Sequence, residues 1–219
     1  MKTKNLIFQL TLALLGVFVL LFALTLFNQF LLRTFSLPLR MALMIVTQWM
    51  LFIVPGILML VNKEKLQTFG FTSENLPRQI FIGILIALFM SVILSMLPIL
   101  LGYKDLVGST SYTKAWQFTY EFVYRIFGVA LVEELIFRGY IFYKLLEINN
   151  SKAFAIMISS LLFGLFHIFN GNLLQVLMTA IIGFIYCMLR EKIKDCTLLS
   201  LIIAHGLYDA LIVFWVAFL

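Results

Sequence analysis

Charge is scarce in this sequence of 219 residues: Asp, Glu, Lys and Arg make up 12% of it, against 63% apolar residues. Soluble domains average about 25% charged and 45–50% apolar residues. A soluble globular protein is therefore excluded, and an integral membrane protein is expected. The length suits one compact helical domain and leaves no room for a separate soluble one. Proline is also scarce, four residues against 23 Phe, which suits lipid-facing helices. Cysteine is limited to Cys187 and Cys196, near the expected cytoplasmic ends of two spans, where a disulfide is not expected. Both are read as inert thiols. Long alternating patterns are missing, so a transmembrane barrel is excluded in favour of helices. No His-Glu-x-x-His, no Gly-x-Ser-x-Gly and no intramembrane aspartate pair is present, which removes the usual zinc-protease helix, the hydrolase elbow and an aspartyl dyad. The net charge of +6 comes from residues scattered between apolar runs, with no basic stripe, so nucleic acid is not expected as a partner.

What remains is a series of long apolar runs. A spanning helix needs about 20 predominantly apolar residues. The fold class expected is all-α: a polytopic transmembrane helical bundle of about seven spans, near 6–32, 39–61, 79–102, 118–143, 152–170, 173–190 and 197–218. The run Leu6 to Leu32 is longer than a signal-peptide core and carries no evident cleavage site, so a retained first span is expected. Lys2, Lys4, Lys63, Lys65, Arg78, Lys144, Lys152, Arg190, Lys192 and Lys194 then fall on one side, and Arg33, Arg40, Lys104 and Lys114 on the other. That asymmetry expects a multi-pass protein of the cell membrane with its N-terminus cytoplasmic. The stretch 62–78 reads as a surface amphipathic segment, 103–114 as a Gly/Ser/Thr-rich loop, and Asn170-Gly171-Asn172 as a short hairpin loop. Residues 1–117 contain no chemical motif; 118–219 contain all of them.

Those motifs are ionisable groups inside apolar runs. Each costs roughly 2.5 to 3.5 kcal/mol at the centre of a spanning helix unless paired or facing water. Glu134 and Arg138 are four apart, on one helical face, and can neutralise one another. Glu133 is turned by about 100° from Glu134 and is free to face another neighbour. Phe163 and His167 share a face on the fifth span, and His205 and Asp209 on the seventh. Counted along helices from the cytoplasmic ends, Glu133, His167, His205 and Asp209 lie within roughly 10 Å of one another in depth. A lone intramembrane histidine also serves as packing glue between helices. The two histidines of this chain, at one depth with an unpaired carboxylate, point to chemistry instead. Phe163 is expected to pack beneath the histidine, and Arg125 to be an interfacial anchor.

The order Glu133-Glu134-x-x-x-Arg138, Phe163-x-x-x-His167, His205-x-x-x-Asp209 resembles the three motifs of the CPBP family. These are the CAAX-prenyl endopeptidases and bacteriocin-processing enzymes, also called the Abi family. The resemblance covers residues 118 to 212, with Gly139 following the arginine. It implies a glutamate-dependent intramembrane endopeptidase. Glu133 and His167 would activate a water, His205 and the residue at 209 would stabilise the oxyanion, and Glu134, Arg138 and Phe163 would support them. The third motif often ends in Asn; here it is Asp209, and a carboxylate donates no hydrogen bond unless protonated. Asp209 is therefore expected to orient His205 or to keep its proton. No cofactor is implied, with zinc on Glu133, His167 and His205 the alternative that the spacing also admits.

The expected partners are the lipid bilayer and a peptide or membrane-protein substrate, cut near the cytoplasmic half of the membrane. The sequence specifies no oligomeric state. The competing expectation is a non-proteolytic protein giving bacteriocin self-immunity or binding a membrane sensor. A transporter is disfavoured by the absence of repeats and paired broken helices.

Overall fold

The computed structural model describes residues 2–169 and 171–219. Asn170, expected in a loop, lies outside them. Among the described residues every regular element is helical. Helix α1 is Lys2–Phe30, α2 is Leu37–Met50 and α3 is Ile53–Val61. Helix α4 is Leu76–Leu100. Helix α5 occupies 115–149, α6 is Lys152–Phe166, α7 is Leu173–Lys192 and α8 is Leu198–Phe218. The loop between α4 and α5 holds only a single helical turn, Lys104–Val107.

Local chemistry sets the breaks. Pro55 lacks an N–H, and its ring would crowd the carbonyl of Leu51, so the second apolar run breaks there. The result is α2 and α3 bent by 42°. Pro98 acts differently: the helix widens to a π-turn over Val92–Met96, just ahead of the ring, and continues. Asn150 in the left-handed region ends α5. Ser151 then caps α6 by accepting from the Phe154 N–H. Asn172, expected as a plain loop residue, caps α7 by accepting from the Gln175 N–H.

Helices α1, α4, α7 and α8 are long and apolar enough to cross a membrane, and the bent pair α2–α3 adds a fifth if its two helices form one span. The other two expected spans differ. Helix α5 is long enough but holds Glu121, Arg125, Glu133, Glu134 and Arg138, so its composition is not that of a lipid-facing span. Helix α6 has 15 residues, about 22 Å at 1.5 Å per residue, against a hydrocarbon core of about 30 Å. Its expected run to residue 170 stops at Phe166, so His167 sits at a helix end, not within a helix.

Helix α5 lies between two apolar clusters. One joins it to α1, α3 and α6 through Ala13, Val17, Met59, Phe137 and Phe163. The other joins α4, α7 and α8 through Ala87, Tyr186, Leu201 and Ala204. Large apolar side chains such as Phe8, Val19, Phe89 and Leu100 stay exposed on the outside, as lipid contact requires. The α5–α8 seam is set by Gly206, whose absent Cβ would lie 2.6 Å from the Ile126 Cα. Small residues permit such approaches between membrane helices, and this one stands beside His205.

Gly206→Val should force α8 away from α5. Overpacking of this kind costs about 1–3 kcal/mol, to be read as a lowered Tm of detergent-solubilised protein. An unchanged Tm would contradict the close seam.

Candidate active site

The two glutamates sit in one α-turn, Leu131–Glu134, between two π-helical stretches, Tyr124–Ala130 and Leu135–Ile141. A π-turn sets an extra residue into the helix and leaves its carbonyls poorly served, and such turns gather at functional sites. One carbonyl finds a side-chain donor: Arg190 of α7 gives Nη1–H to the Arg138 oxygen at 2.8 Å, and Nη2–H to the Tyr143 hydroxyl at 2.6 Å.

Arg138 is completely buried, and its Nη1 donates to Glu134 Oε1 at 2.9 Å. The guanidinium lies over the Phe163 ring, 4.0 Å from its centroid, with Tyr186 at 5.7 Å. Gly183 of α7 makes room: a Cβ there would lie 2.8 Å from Arg138 Nη2. A planar cation against aromatic faces, paired with a carboxylate, is the arrangement in which burial of arginine is tolerated.

His205 of α8 meets both glutamates. Its Nδ1 is 2.9 Å from Glu134 Oε1, and its Nε2 is 3.9 Å from Glu133 Oε2. An ionised carboxylate only accepts, so Nδ1 carries the hydrogen and Nε2 is the atom turned to Glu133. Glu134, not Asp209, is thus the group that orients His205. The expected partner Asp209 has its Oδ2 3.7 Å from Nε2 and 3.5 Å from Arg125 Nη1. Arg125 is no interfacial anchor: its Nε also donates to Glu121 Oε1 at 2.6 Å. Glu121 accepts in turn from the Tyr112 hydroxyl at 3.0 Å. Burial and the Glu121 carboxylate push the Tyr112 phenol up to about 12, so it stays a donor.

Glu133 is buried, and its Oε2 takes no hydrogen bond from the described residues. The two carboxylates therefore diverge: Glu134 is bound twice through its Oε1, and Glu133 Oε2 is left facing His205 without a hydrogen bond. Phe163 presents its edge to His205 and to His167, at ring distances of 5.8 and 5.1 Å. It packs beneath both imidazoles, as its apolar character suggests. His167 bonds its Nδ1 to the Phe163 carbonyl at 3.0 Å, serving one of the orphan carbonyls of the α6 terminus. A carbonyl cannot donate, so here too Nε2 is left as the working nitrogen.

A cavity of about 470 Å³ opens beside this cluster, lined by Ser109, Thr110, Ser111, Tyr112, Glu121, Arg125 and Val213. Arg125 on its wall links it to the site, since Arg125 Nη1 lies 3.5 Å from Asp209 Oδ2. Its mouth is the end of the bundle formed by the α4–α5 loop. Among the described residues no three His, Cys, Asp or Glu side chains gather at metal-ligating spacing. Of the alternative zinc set, His167 and His205 have Nδ1 committed and keep Nε2 free among the described residues, and His205 Nε2 lies 3.9 Å from Glu133 Oε2.

Sequence reasoning missed the Tyr112–Glu121–Arg125 chain, although Glu121 and Arg125 repeat the four-residue spacing that marked Glu134 and Arg138. It also counted Arg190 only as a loop cation. Both cysteines are free, and burial pushes the Cys196 thiol up to about 11, which fits an inert thiol.

Residues 115–211 match the family model described as Type II CAAX prenyl endopeptidase Rce1-like. The match runs from the start of α5 to two residues beyond Asp209, and it is consistent with the CPBP resemblance carried by the three motifs. None of the curated proteins and none of the solved structures compared matches the chain. The family match supports a protease, and the apolar helices point to a membrane protein.

Arg138→Ala should leave Glu134 buried without its cation, at a cost of about 3–5 kcal/mol. The expected result is a sharp fall in the monodisperse fraction on size-exclusion chromatography in detergent. A fully folded Arg138→Ala protein would contradict the structural role.

Proposed function

With an Rce1-like domain over α5 to α8 as premise, we propose a metal-free, glutamate-dependent intramembrane endopeptidase acting on a peptide or membrane-protein substrate. The observation that carries this reading is the division of labour between the adjacent glutamates. Glu134 is engaged by both Arg138 and His205 through its Oε1, while no such bond among the described residues holds Glu133, whose buried Oε2 faces an imidazole.

Amide hydrolysis needs a base for water, donors for the developing oxyanion and a proton for the leaving amine. Glu133 takes one proton from the attacking water, and His167 holds that water through Nε2. The oxygen adds to the scissile carbonyl. His205, when protonated, offers Nε2–H to the oxyanion, since its Nδ1–H is already given to Glu134. Glu133 then passes its proton to the nitrogen as the C–N bond breaks, leaving one new carboxyl and one new amine. Asp209, held by Arg125, stands next to this donor and is not itself one.

The cavity beside Tyr112 and Arg125 gives water and substrate a polar approach from the α4–α5 end. The Lys/Arg asymmetry expects that end to be external.

Glu133→Gln keeps size and hydrogen bonding but removes the base. It should lower kcat by about 10²–10⁴-fold with normal membrane insertion, and cleavage by the unaltered protein should survive chelator. The assay is cleavage of a peptide panel by purified protein. Retained activity in Glu133→Gln would end the glutamate mechanism, and loss with chelator restored by zinc would establish a metal site. A Glu133→Gln protein that still protects cells from a bacteriocin would favour the self-immunity role.

A further inference from the structure

We propose that Arg125 is a positioning residue that holds Asp209 off His205 and so keeps His205 Nε2 available to the reaction. The inference rests on the peptidase reading for its kinetic consequence, but not for its structural one.

One oxygen decides the matter. Asp209 Oδ2 stands 3.5 Å from Arg125 Nη1 and 3.7 Å from His205 Nε2. Asp209 lies one helical turn beyond His205 on α8, a spacing at which a carboxylate ordinarily closes on an imidazole. A small χ rotation would bring it to full hydrogen-bond contact. Nε2 would then be occupied, with Nδ1 already given to Glu134, and no N–H would remain for a substrate oxygen. The guanidinium on the other side prevents this by offering the carboxylate a second, charged partner.

Arg125 holds that position because it is itself tethered. Its Nε is bound to Glu121, and Glu121 to the Tyr112 hydroxyl in the α4–α5 loop. Glu121 is nearly buried, and Arg125 is about one-third exposed on the cavity wall. The chain Tyr112–Glu121–Arg125–Asp209 thus runs from the cavity mouth to the imidazole. Facing His205 from other elements are Glu133 and Glu134 of α5. Neither competes with Arg125 for Asp209 among the described residues. Without Arg125, His205 Nε2 is a donor already standing 3.7 Å from Asp209 Oδ2.

The test is a double-variant cycle on the full-length protein: Arg125→Gln, Asp209→Asn and the two combined, with Arg125→Lys as the conservative variant. Two readouts are taken. The first is kcat and KM on the peptide that unaltered protein cleaves. The second is the imidazole nitrogen spectrum of histidine-labelled protein in micelles, simple because the chain has two histidines. Arg125→Gln should lower kcat by about tenfold or more with KM little changed, and Arg125→Lys should recover most of it. Combining Arg125→Gln with Asp209→Asn should restore kcat to the level of Asp209→Asn alone. The His205 Nε2 resonance should move in Arg125→Gln and return in the combined variant.

Additive losses with an unmoved His205 resonance would overturn the proposal and leave Arg125 a structural ion pair. If unaltered protein cleaves no peptide, the peptidase reading fails and the resonance alone decides the positioning role. If Arg125→Gln does not fold, the combined variant, in which position 209 carries no charge, is compared with Asp209→Asn. A displaced His205 resonance between those two overturns the proposal, because Asp209 would not be what Arg125 controls.

Discussion

A single carboxylate oxygen, Glu134 Oε1, joins three helical segments. It accepts from Arg138 on its own helix and from His205 on α8, both at 2.9 Å. All three groups are buried, so no water competes for the bonds and none substitutes for a lost partner. Removing any one exposes the other two to the full expense of an unpaired polar group in a low-dielectric interior. The position of α8 against α5, the tautomer of His205 and the direction of its Nε2 all follow from this one junction.

The neighbouring structure serves the same junction. Gly183 clears space for the guanidinium, and Gly206 lets α8 approach closely enough for His205 to reach α5. Phe163 fills the gap between the arginine and the two imidazoles, giving the cation a face and the histidines an edge. Arg190 serves the Arg138 carbonyl inside a π-helical stretch. These contacts come from α6, α7 and α8, which explains why residues 115–211 form a unit that a family model matches.

Helical character, membrane class and the residues that converge were legible in the sequence, because each follows from composition or four-residue spacing. The pairing of Glu134 with Arg138 is a local i,i+4 event, readable from periodicity alone. The partner of His205 was not readable this way. Spacing favoured Asp209, one turn away, but a contact across helices with Glu134 captured the imidazole nitrogen instead. The π-turns beside Glu133 carry no proline to announce them, unlike the one before Pro98. Seven apolar runs also concealed two different cases. Helix α5 is long but charged within, and α6 is apolar but short, with His167 at its end, and apolarity along a window distinguishes neither from a full span.

Charge accounting carries the argument one step further. Four carboxylates, Glu121, Glu133, Glu134 and Asp209, face two guanidinium groups, those of Arg125 and Arg138, with Arg190 placed behind at a carbonyl. Arg138 answers Glu134. Arg125 is shared by Glu121 and Asp209. Among the described residues Glu133 pairs with no guanidinium, and the ion-pair partner of its Oε2 is His205 Nε2 at 3.9 Å. In the proposed reaction Glu133 carries a proton from water to the amine nitrogen while His205 keeps its own at Nε2 for the oxyanion, so the transfer occurs among groups whose other bonds stay fixed.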